Sequence, residues 1–399
     1  MPTTTTNQSS NYPLALSSWG EEEYKAFQRV IDSNIFSMGK EVKHFEEDYS
    51  KYMGTNYTVM VNSGSSANLL AIAALFYRKE NPLKQGDEVI VPAVSWSTTY
   101  TPLQQYGLKV KFVDVDLHTL NYDLDALQVA VTDKTKLIVV VNLLGNSNDF
   151  SVIEKIANQH GSIIFEDNCE SLGAEYNGKK AGAFGLLSSC SSFFSHHIST
   201  MEGGLITTND EELYHILLSI RSHGWTRHLP KENHVTGTKS DFAFEESFKF
   251  VLPGYNVRPL EMSGALGVEQ LKKLPSFISK RRENAQLFLK EIQDIDYLIP
   301  QTEIGKSSWF GFSMIVKPEY GVNRDSLVKY LTDKNIDCRP IVAGNFTKNE
   351  VIKYFNYELH GEMKNAEKID RNGFFVGNHH IDMRDEINHL IEALKNFPK

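Results

Sequence analysis

The sequence predicts a doubly wound α/β domain with a mostly parallel central sheet, followed by a smaller C-terminal α+β domain. First, strand-like and helical segments alternate through the first half of the chain, as in parallel sheets. Second, residues 136–142 and 162–166 are β-branched runs of the kind buried on both faces. Third, a strand at residues 57–61 enters a helix through a turn of small residues. In such folds the ligand lies at the carboxyl ends of the strands.

The other elements follow from periodicity, capping residues and breakers. Further strands are expected at residues 88–92, 110–115, 205–208 and 311–316. Helices are expected at residues 21–31, 45–53, 69–77, 124–131, 152–160, 210–221, 260–292, 324–334 and 386–397, with a break in the long one near Pro275. Residues 222–246 lack periodicity, and so long a loop inside a compact domain is usually functional or mobile.

The predicted organisation is a flexible tail at residues 1–15, a large domain at 16–265 and a small domain at 266–399. The first twelve residues are rich in Thr, Ser and Asn and lack the basic-then-apolar pattern of a signal peptide. No apolar run approaches the length of a membrane span, so no membrane partner is expected.

Composition excludes several classes of protein. A net charge of −9 argues against nucleic acid as the main partner, because a phosphate-binding surface needs clustered Lys and Arg. Cys169, Cys190 and Cys338 are far apart and form no C-x-x-C pair. This excludes a disulfide scaffold and a thiolate metal site built from this chain alone, and no metal is predicted. A reducing cytoplasm is the expected location.

Several candidate residues follow predicted strands. The turn at residues 62–68 can direct backbone N–H groups and a helix dipole at an anion, although a plain capped turn would look the same. Trp96, Asp167 and Glu170 come after two other strands. An acid ending a buried strand can pair with a buried cation, but helix capping is the commoner reason for such an Asp. A Trp in a loop is more often a packing residue than a stacking surface.

The stretch from Ser191 to Gly204 follows a turn of small residues and contains the adjacent histidines His196 and His197. Alone it says little, because adjacent histidines are usually polar loop residues. Together with other segments it resembles the sugar aminotransferase family of fold-type I pyridoxal 5'-phosphate (PLP) enzymes, from about Leu16 onwards. The segments that carry the resemblance are 38–39, 61–67, 86–92, 165–168, 182–185, 202–204 and 254–258.

In that family a lysine shortly before the Gly pair forms a Schiff base with PLP, and His196 stands at that position here. Histidine cannot form this link, but its ordinary pKa near 6.5 suits proton transfer at neutral pH. The change resembles a subset of the family, the 3-dehydratases of nucleotide-linked 4-keto-6-deoxy sugars. Members acting on CDP-sugars use a four-cysteine [2Fe–2S] site, which three cysteines cannot supply, so a GDP-sugar substrate is favoured.

The resemblance also implies roles for other residues. The cofactor, PLP or pyridoxamine 5'-phosphate (PMP) held without a covalent bond, would contact Gly64, Ser65, Trp96, Asp167, Glu170, Ser191 and Asn256. Asn256 would reach the phosphate from a second subunit, which implies a homodimer with shared active sites. Trp96 would stack on the pyridine ring, Asp167 would keep its nitrogen protonated, and Glu170 would lie near the ring hydroxyl.

For catalysis the resemblance implies His196 as the base and a structural role for His197. His223 and Arg227 would contact the substrate, because Arg suits a pyrophosphate, although a solvated basic loop is the alternative. L-Glutamate would be the co-substrate that regenerates PMP. Two other functions stay open: an aminotransferase, or a Lys-to-His variant of one, and a non-catalytic protein that keeps the PLP fold. The retained Trp96 and Asp167 argue against the second.

Overall fold

The structure, a computed structural model, describes residues 12–398. Within this range the helices are α1 Glu21–Ser33, α2 Lys40–Met53, α3 Gly64–Tyr77, α4 Ser97–Gln105, α5 Leu124–Ala130, α6 Phe150–His160, α7 Glu211–Ile220, α8 Ala243–Glu246, α9 Glu261–Glu291, α10 Arg324–Asp333, α11 Lys364–Asn372 and α12 Arg384–Lys395. The strands are β1 Tyr57–Val61, β2 Glu88–Pro92, β3 Lys109–Val113, β4 Thr135–Val141, β5 Ile163–Asp167, β6 Glu175–Tyr176, β7 Lys179–Lys180, β8 Leu187–Ser191, β9 Gly204–Thr208, β10 Glu232–Asn233, β11 Gly237–Thr238, β12 Leu298–Pro300, β13 Gly311–Val316, β14 Cys338–Arg339, β15 Tyr357–Leu359 and β16 Gly373–Gly377.

An eight-stranded sheet in the order β1-β9-β8-β5-β4-β2-β3-β15 forms the centre of the molecule. Strand β9 runs antiparallel to both of its neighbours, and the remaining pairs are parallel. The predicted α/β fold with a mostly parallel sheet is therefore confirmed. Because β1, β2, β4, β5 and β8 point the same way, their carboxyl ends meet at one edge of the sheet, where a ligand site is expected.

Strand β8 is an interior strand of this sheet, although its sequence Leu-Ser-Ser-Cys-Ser contains no β-branched or aromatic residue. All five of its residues are buried between β5 and β9. The expected small-residue turn before the histidine stretch is therefore wrong. Burial on both sides, where small residues fit closely, outweighs the low strand propensity of serine.

A second sheet, antiparallel in the order β12-β13-β16-β14, forms the C-terminal part of the molecule. Its core contains Phe288 from α9 stacked on Phe312 from β13, with ring centroids 4.3 Å apart. The predicted boundary after residue 265 falls inside α9, whose residues change core between Ile278 and Ala285. The two-domain division stays a prediction, and this packing favours a boundary near those residues.

Helix α9 is continuous through Pro275, so the predicted break is wrong. A proline inside a helix removes one hydrogen bond and costs about 3 kcal/mol. Here Leu271 and Leu274 pack in one core and Phe288 in another. We attribute the continuity to this burial, which holds the helix on both sides of the proline.

The chain is already packed at Tyr12, so the predicted flexible tail is too long. Tyr12 is fully buried, and its hydroxyl donates to the Gly377 carbonyl at 2.9 Å. Its amide donates to the Asn335 carbonyl at 3.1 Å. Residues 1–11 of the predicted tail lie outside the described residues.

Part of the segment predicted as a long loop is ordered, because residues 222–246 contain the β10–β11 hairpin and the short helix α8. Phe242, Phe244 and Phe248, which lie in or beside α8, are exposed.

Within residues 12–398, no helix is both long and apolar enough to cross a membrane.

Candidate active site

A cavity of about 560 Å³ opens at the edge of the sheet where the parallel strands end. Its walls come from the segments that follow β1, β2, β4, β5 and β8, together with residues of the C-terminal sheet. They are Ser63, Gly64, Ser65, Asn68, Ser95, Trp96, Thr98, Val141, Asn142, Leu143, Asp167, Cys169, Glu170, Ser191, Phe193, Ser195, His196, Glu202, Phe310, Arg339, Pro340, Val342 and Phe375. The cavity therefore lies where the fold class predicts it.

The N-terminus of α3 forms one end of the cavity. Ser63 caps the helix by accepting the Ser66 N–H at 3.1 Å. Gly64 and Ser65 lie in the first turn, where amides have no partner within the helix itself. A Cβ on Gly64 would lie 2.6 Å from Cβ of Ser191, so only glycine permits this close approach. The arrangement suits a phosphate, because it combines first-turn amides, the helix dipole and serine hydroxyls.

Asp167 is held rigidly at the end of β5. Its Oδ2 accepts hydrogen bonds from Asn68 Nδ2 at 2.9 Å and Thr99 Oγ1 at 2.8 Å. Ser189 in turn donates to Asn68 Oδ1 at 2.5 Å. Sequence reasoning missed Asn68 and Thr99, although Asn68 is a polar residue directly before the apolar run of α3 and is buried in the structure. The network fixes one carboxylate where it can hold a ring nitrogen protonated.

Trp96 and Glu170 also line the cavity. The Trp96 side chain is 59% exposed, so its ring is available for stacking. Glu170 Oε2 accepts the Leu144 N–H at 3.0 Å. Burial, with a smaller contribution from the charge of Asp167, raises the pKa of Glu170 to about 7. Its carboxyl group can therefore donate or accept a hydrogen bond near neutral pH, which suits a contact with a ring hydroxyl.

His196 lies in the loop that follows β8, with its ring 5.3 Å from the ring of Phe310. Its Nδ1 is buried without a hydrogen-bond partner. Desolvation, helped by the charge of Arg281, lowers the pKa of His196 to about 4. The imidazole is therefore neutral at pH 7, as a base must be. The neighbouring His197 is buried and its Nε2 lies 3.2 Å from the Ser308 carbonyl, which fits the structural role.

Three predicted residues do not line the cavity of their own chain. Asn256 is exposed, and its Oδ1 accepts a hydrogen bond from Arg258 Nε at 3.0 Å. Arg227 is exposed and lies over the Trp225 ring at 5.7 Å. His223 is partly buried and adopts a positive φ of 63°. Their roles as phosphate and substrate contacts stay predictions, and the resemblance implies that Asn256 acts from a second subunit.

Sequence reasoning also missed the residues supplied by the C-terminal part of the chain. Arg339 on β14 and Phe310 before β13 both line the cavity. No local motif marks them, since they reach the site only because the C-terminal sheet packs beside the central one. Arg339 forms no ion pair with any carboxylate in residues 12–398, which leaves its charge available to an anionic ligand.

The lining fits PLP or PMP. It offers a helix N-terminus with two serines for a phosphate, a carboxylate for the ring nitrogen and a tryptophan face for the ring. No lysine is found among the lining residues that the structure describes. In the same part of the chain, no three His, Cys, Asp or Glu side chains come together in an arrangement that could hold a metal ion.

Comparison with known proteins agrees with this geometry. GDP-4-keto-6-deoxy-D-mannose 3-dehydratase of Escherichia coli O55:H7 is 63% identical over 386 residues, which cover 96% of this chain and 100% of that protein. The protein of the same name from Yersinia pseudotuberculosis is 61% identical over 386 residues, covering 96% of this chain and 98% of that protein.

Solved structures show the same likeness. The Escherichia coli 3-dehydratase with bound hydrated PLP superposes with a TM-score of 0.95 at 63% identity, covering 96% of this chain and 99% of that chain. A histidine-to-asparagine variant of GDP-4-keto-6-deoxymannose-3-dehydratase with bound GDP-perosamine also gives a TM-score of 0.95, at 62% identity and covering 96% of this chain and 100% of that chain. The model of the DegT/DnrJ/EryC1/StrS aminotransferase family matches residues 17–395. This chain belongs to that family.

Proposed function

We propose that this chain is a PLP/PMP-dependent 3-dehydratase, which converts GDP-4-keto-6-deoxy-D-mannose to GDP-4-keto-3,6-dideoxy-D-mannose in deoxysugar biosynthesis. The observation that carries the proposal is His196, a neutral imidazole on the cavity wall at the position where the resemblance to the aminotransferases implies a lysine. The 63% identity to a 3-dehydratase over its full length supports the same substrate and reaction.

The cofactor is held by non-covalent contacts. Gly64, Ser65 and Ser191, which line one end of the cavity, would bind its phosphate, Asp167 would hold its ring nitrogen protonated, and Trp96 would cover its ring. When bound, PMP supplies the amine that condenses with the C4 ketone of the sugar and a ring that accepts electrons.

His196 moves the protons of the reaction at Nε2. The neutral nitrogen accepts a proton, and the imidazolium so formed can deliver it to the C3 hydroxyl, which leaves as water. Phe193 and Phe310 pack against its ring and restrict the orientations it can adopt. No lysine side chain lies among the described lining residues to form a covalent link with the cofactor, which disfavours ordinary transamination of the sugar.

Glutamate supplies the electrons for the net reaction. The sugar loses a hydroxyl group and gains hydrogen, so glutamate must be oxidised to 2-oxoglutarate while its nitrogen leaves as ammonia. We expect one 2-oxoglutarate and one ammonia for each deoxygenated sugar when the enzyme is assayed with the GDP-sugar and L-glutamate. Mass spectrometry of the sugar and enzymatic assays of the other two products test this. An amino sugar as the main product, without free ammonia, would favour the aminotransferase alternative, and no turnover would favour the non-catalytic one.

Arg339 is the residue we assign to a carboxylate of glutamate, because its unpaired charge lies on the cavity wall. Arg339→Met should raise the KM for glutamate by about 10- to 100-fold, the loss expected for a charge-assisted hydrogen bond. Binding of the GDP-sugar should change little. Arg384→Met, which removes an exposed arginine from α12 outside the cavity, is the control. An equal rise in the KM for glutamate in both variants would contradict the assignment of Arg339 to the glutamate carboxylate.

The homodimer with shared sites, the substrate contacts of His223 and Arg227 and the cytoplasmic location stay predictions. The first is supported by the position of Asn256, which is exposed and outside the cavity of its own chain.

A further inference from the structure

Arg281 on α9 is a buried cation without an acidic partner. The residue is 5% exposed, and its Nη1 donates to the carbonyls of Trp309, Phe310 and Asn378. It forms no ion pair within residues 12–398, and its buried Nε has no hydrogen-bond partner. Burying an unpaired charge is costly, so a residue of this kind usually serves a purpose beyond packing.

Two of the three carbonyls that accept from Arg281, those of Trp309 and Phe310, belong to the segment that supports the base. Within Ser308–Phe310, the Ser308 carbonyl lies 3.2 Å from His197 Nε2, and the Phe310 ring packs on the rings of both histidines. Trp309, between them, has a positive φ of 47°, a conformation that non-glycine residues adopt at a cost. The bonds from Arg281 to the Trp309 and Phe310 carbonyls hold this strained backbone in place.

The charge of Arg281 also acts on His196. Other ionisable groups line the same cavity: Asp167 at the end of β5, Cys169 and Glu170 after it, Glu202 before β9 and Arg339 on β14. His197 is adjacent to His196 in the same loop. The carboxylates favour a protonated imidazole, whereas Arg281 opposes it. Arg281 is therefore a buried positive charge that favours the form of His196 able to accept a proton.

We propose that Arg281 is a positioning residue for the catalytic base: its bonds to the Trp309 and Phe310 carbonyls hold the Phe310 ring against the imidazole, and its positive charge disfavours protonation of His196. This inference rests on the proposed function only for the role of His196 as base. The electrostatic and geometric relation between the two residues stands apart from any reaction.

The direction of the effect follows from the charges. Desolvation lowers the pKa of His196 most, Arg281 lowers it further, and the Phe193 carbonyl acts in the opposite direction. Removing the positive charge should therefore raise the pKa of His196. Arg281 itself stays charged at neutral pH, since burial lowers its pKa only to about 10.

The test is an NMR titration of the holoenzyme labelled with ¹³Cε1-histidine, with the His196 signal assigned by its loss in His196→Asn. We compare wild type, Arg281→Lys, Arg281→Met and the control Lys280→Met, which removes a cation of the same helix that pairs with Glu283. In wild type, Arg281→Lys and Lys280→Met, His196 should titrate well below 6.5. In Arg281→Met the midpoint should rise by roughly half a unit to one unit.

An unchanged midpoint in Arg281→Met would overturn the proposal. So would a wild-type midpoint at or above 6.5, a result that needs no variant to fold. The acid limb of kcat should move in the same direction as the NMR midpoint. If the NMR midpoint moves but dehydration is absent in wild type, the proposed function fails while the relation between Arg281 and His196 holds. A loss of activity at all pH values without movement of the midpoint would indicate a structural role alone.

Discussion

Replacing His196 with asparagine is expected to lower kcat for dehydration by about 10²- to 10⁴-fold, the usual contribution of a general acid–base residue. Asparagine is close to histidine in size and still polar, but it cannot accept and return a proton. The rings of Phe193 and Phe310 that enclose the imidazole stay in place, so cofactor binding should be retained. Steady-state kinetics and absorbance of bound cofactor measure the two effects separately.

His197→Asn is the matched control, because it changes the adjacent histidine. His197 is buried, and its Nε2 lies within hydrogen-bond distance of the Ser308 carbonyl. His197→Asn should therefore lower the thermal stability of the protein and have only a small effect on kcat for dehydration. His389 is a second control, because it is half-buried outside the cavity with its Nε2 2.9 Å from the Lys334 carbonyl, and His389→Asn should leave kcat unchanged. If His197→Asn lost the chemical step while His196→Asn kept it, the roles of the two histidines would have to be exchanged.

His196→Lys extends the same argument to the cofactor. Because no lysine is found among the described lining residues, borohydride treatment of the wild type should leave no pyridoxyl group on lysine. In the lysine variant the new amine can react with PLP, and mass spectrometry of peptides should find the modification at position 196. Dehydration should then be largely lost. A pyridoxyl-lysine in the wild type would contradict the assignment of His196.

Much of the fold could be predicted from the sequence because the parallel strands carry their signal locally. Strands β1 and β2 match the predicted bounds, since apolar runs between turn residues suffice to mark a buried strand. Strand β8 could not be found in this way, because its serines are compatible with a strand only when both neighbours bury them. The predicted break at Pro275 is wrong for the same reason, because α9 is held by packing against residues that are distant in the sequence.

The residues of the candidate site fall into the same two groups, those marked by the local sequence and those placed by tertiary packing. Asp167 and His196 lie in segments that resemble a known family, so the sequence alone nominates them. Arg339, Phe310 and Arg281 come from the C-terminal part of the chain and reach the site through tertiary packing. Because no local pattern records that packing, the cation on the cavity wall and the buried cation behind the base emerge only from the structure.

Asn256→Ala is expected to weaken cofactor binding by about 1.5–3 kcal/mol, the loss of a charge-assisted hydrogen bond to phosphate. The reason is the proposed shared site. Within one chain Asn256 is exposed and does not line the cavity, although Val257 accepts the Asn62 N–H at 3.0 Å beside the phosphate turn. A second subunit related by two-fold symmetry could place Asn256 at the partner's phosphate site.

Subunit exchange tests this directly. His196→Asn subunits, which lack the base at any cofactor concentration, are mixed with Asn256→Ala subunits at a cofactor concentration too low for the Asn256→Ala homodimer to be active. In a shared-site dimer, one cavity of each mixed dimer receives both changes and the other receives neither. After random exchange at equal amounts, about one quarter of wild-type activity should return, because half of the dimers are mixed and each has one intact site.

The matched control mixes His196→Asn with Asp167→Asn. Both residues line the same cavity of one chain, so each cavity of the mixed dimer carries one change and no activity should return. Mass spectrometry of the intact dimers shows whether exchange has taken place. If mixed dimers form but the mixture of His196→Asn and Asn256→Ala subunits stays inactive, the shared-site model is wrong. Asn256 then does not contact the cofactor bound by the partner subunit.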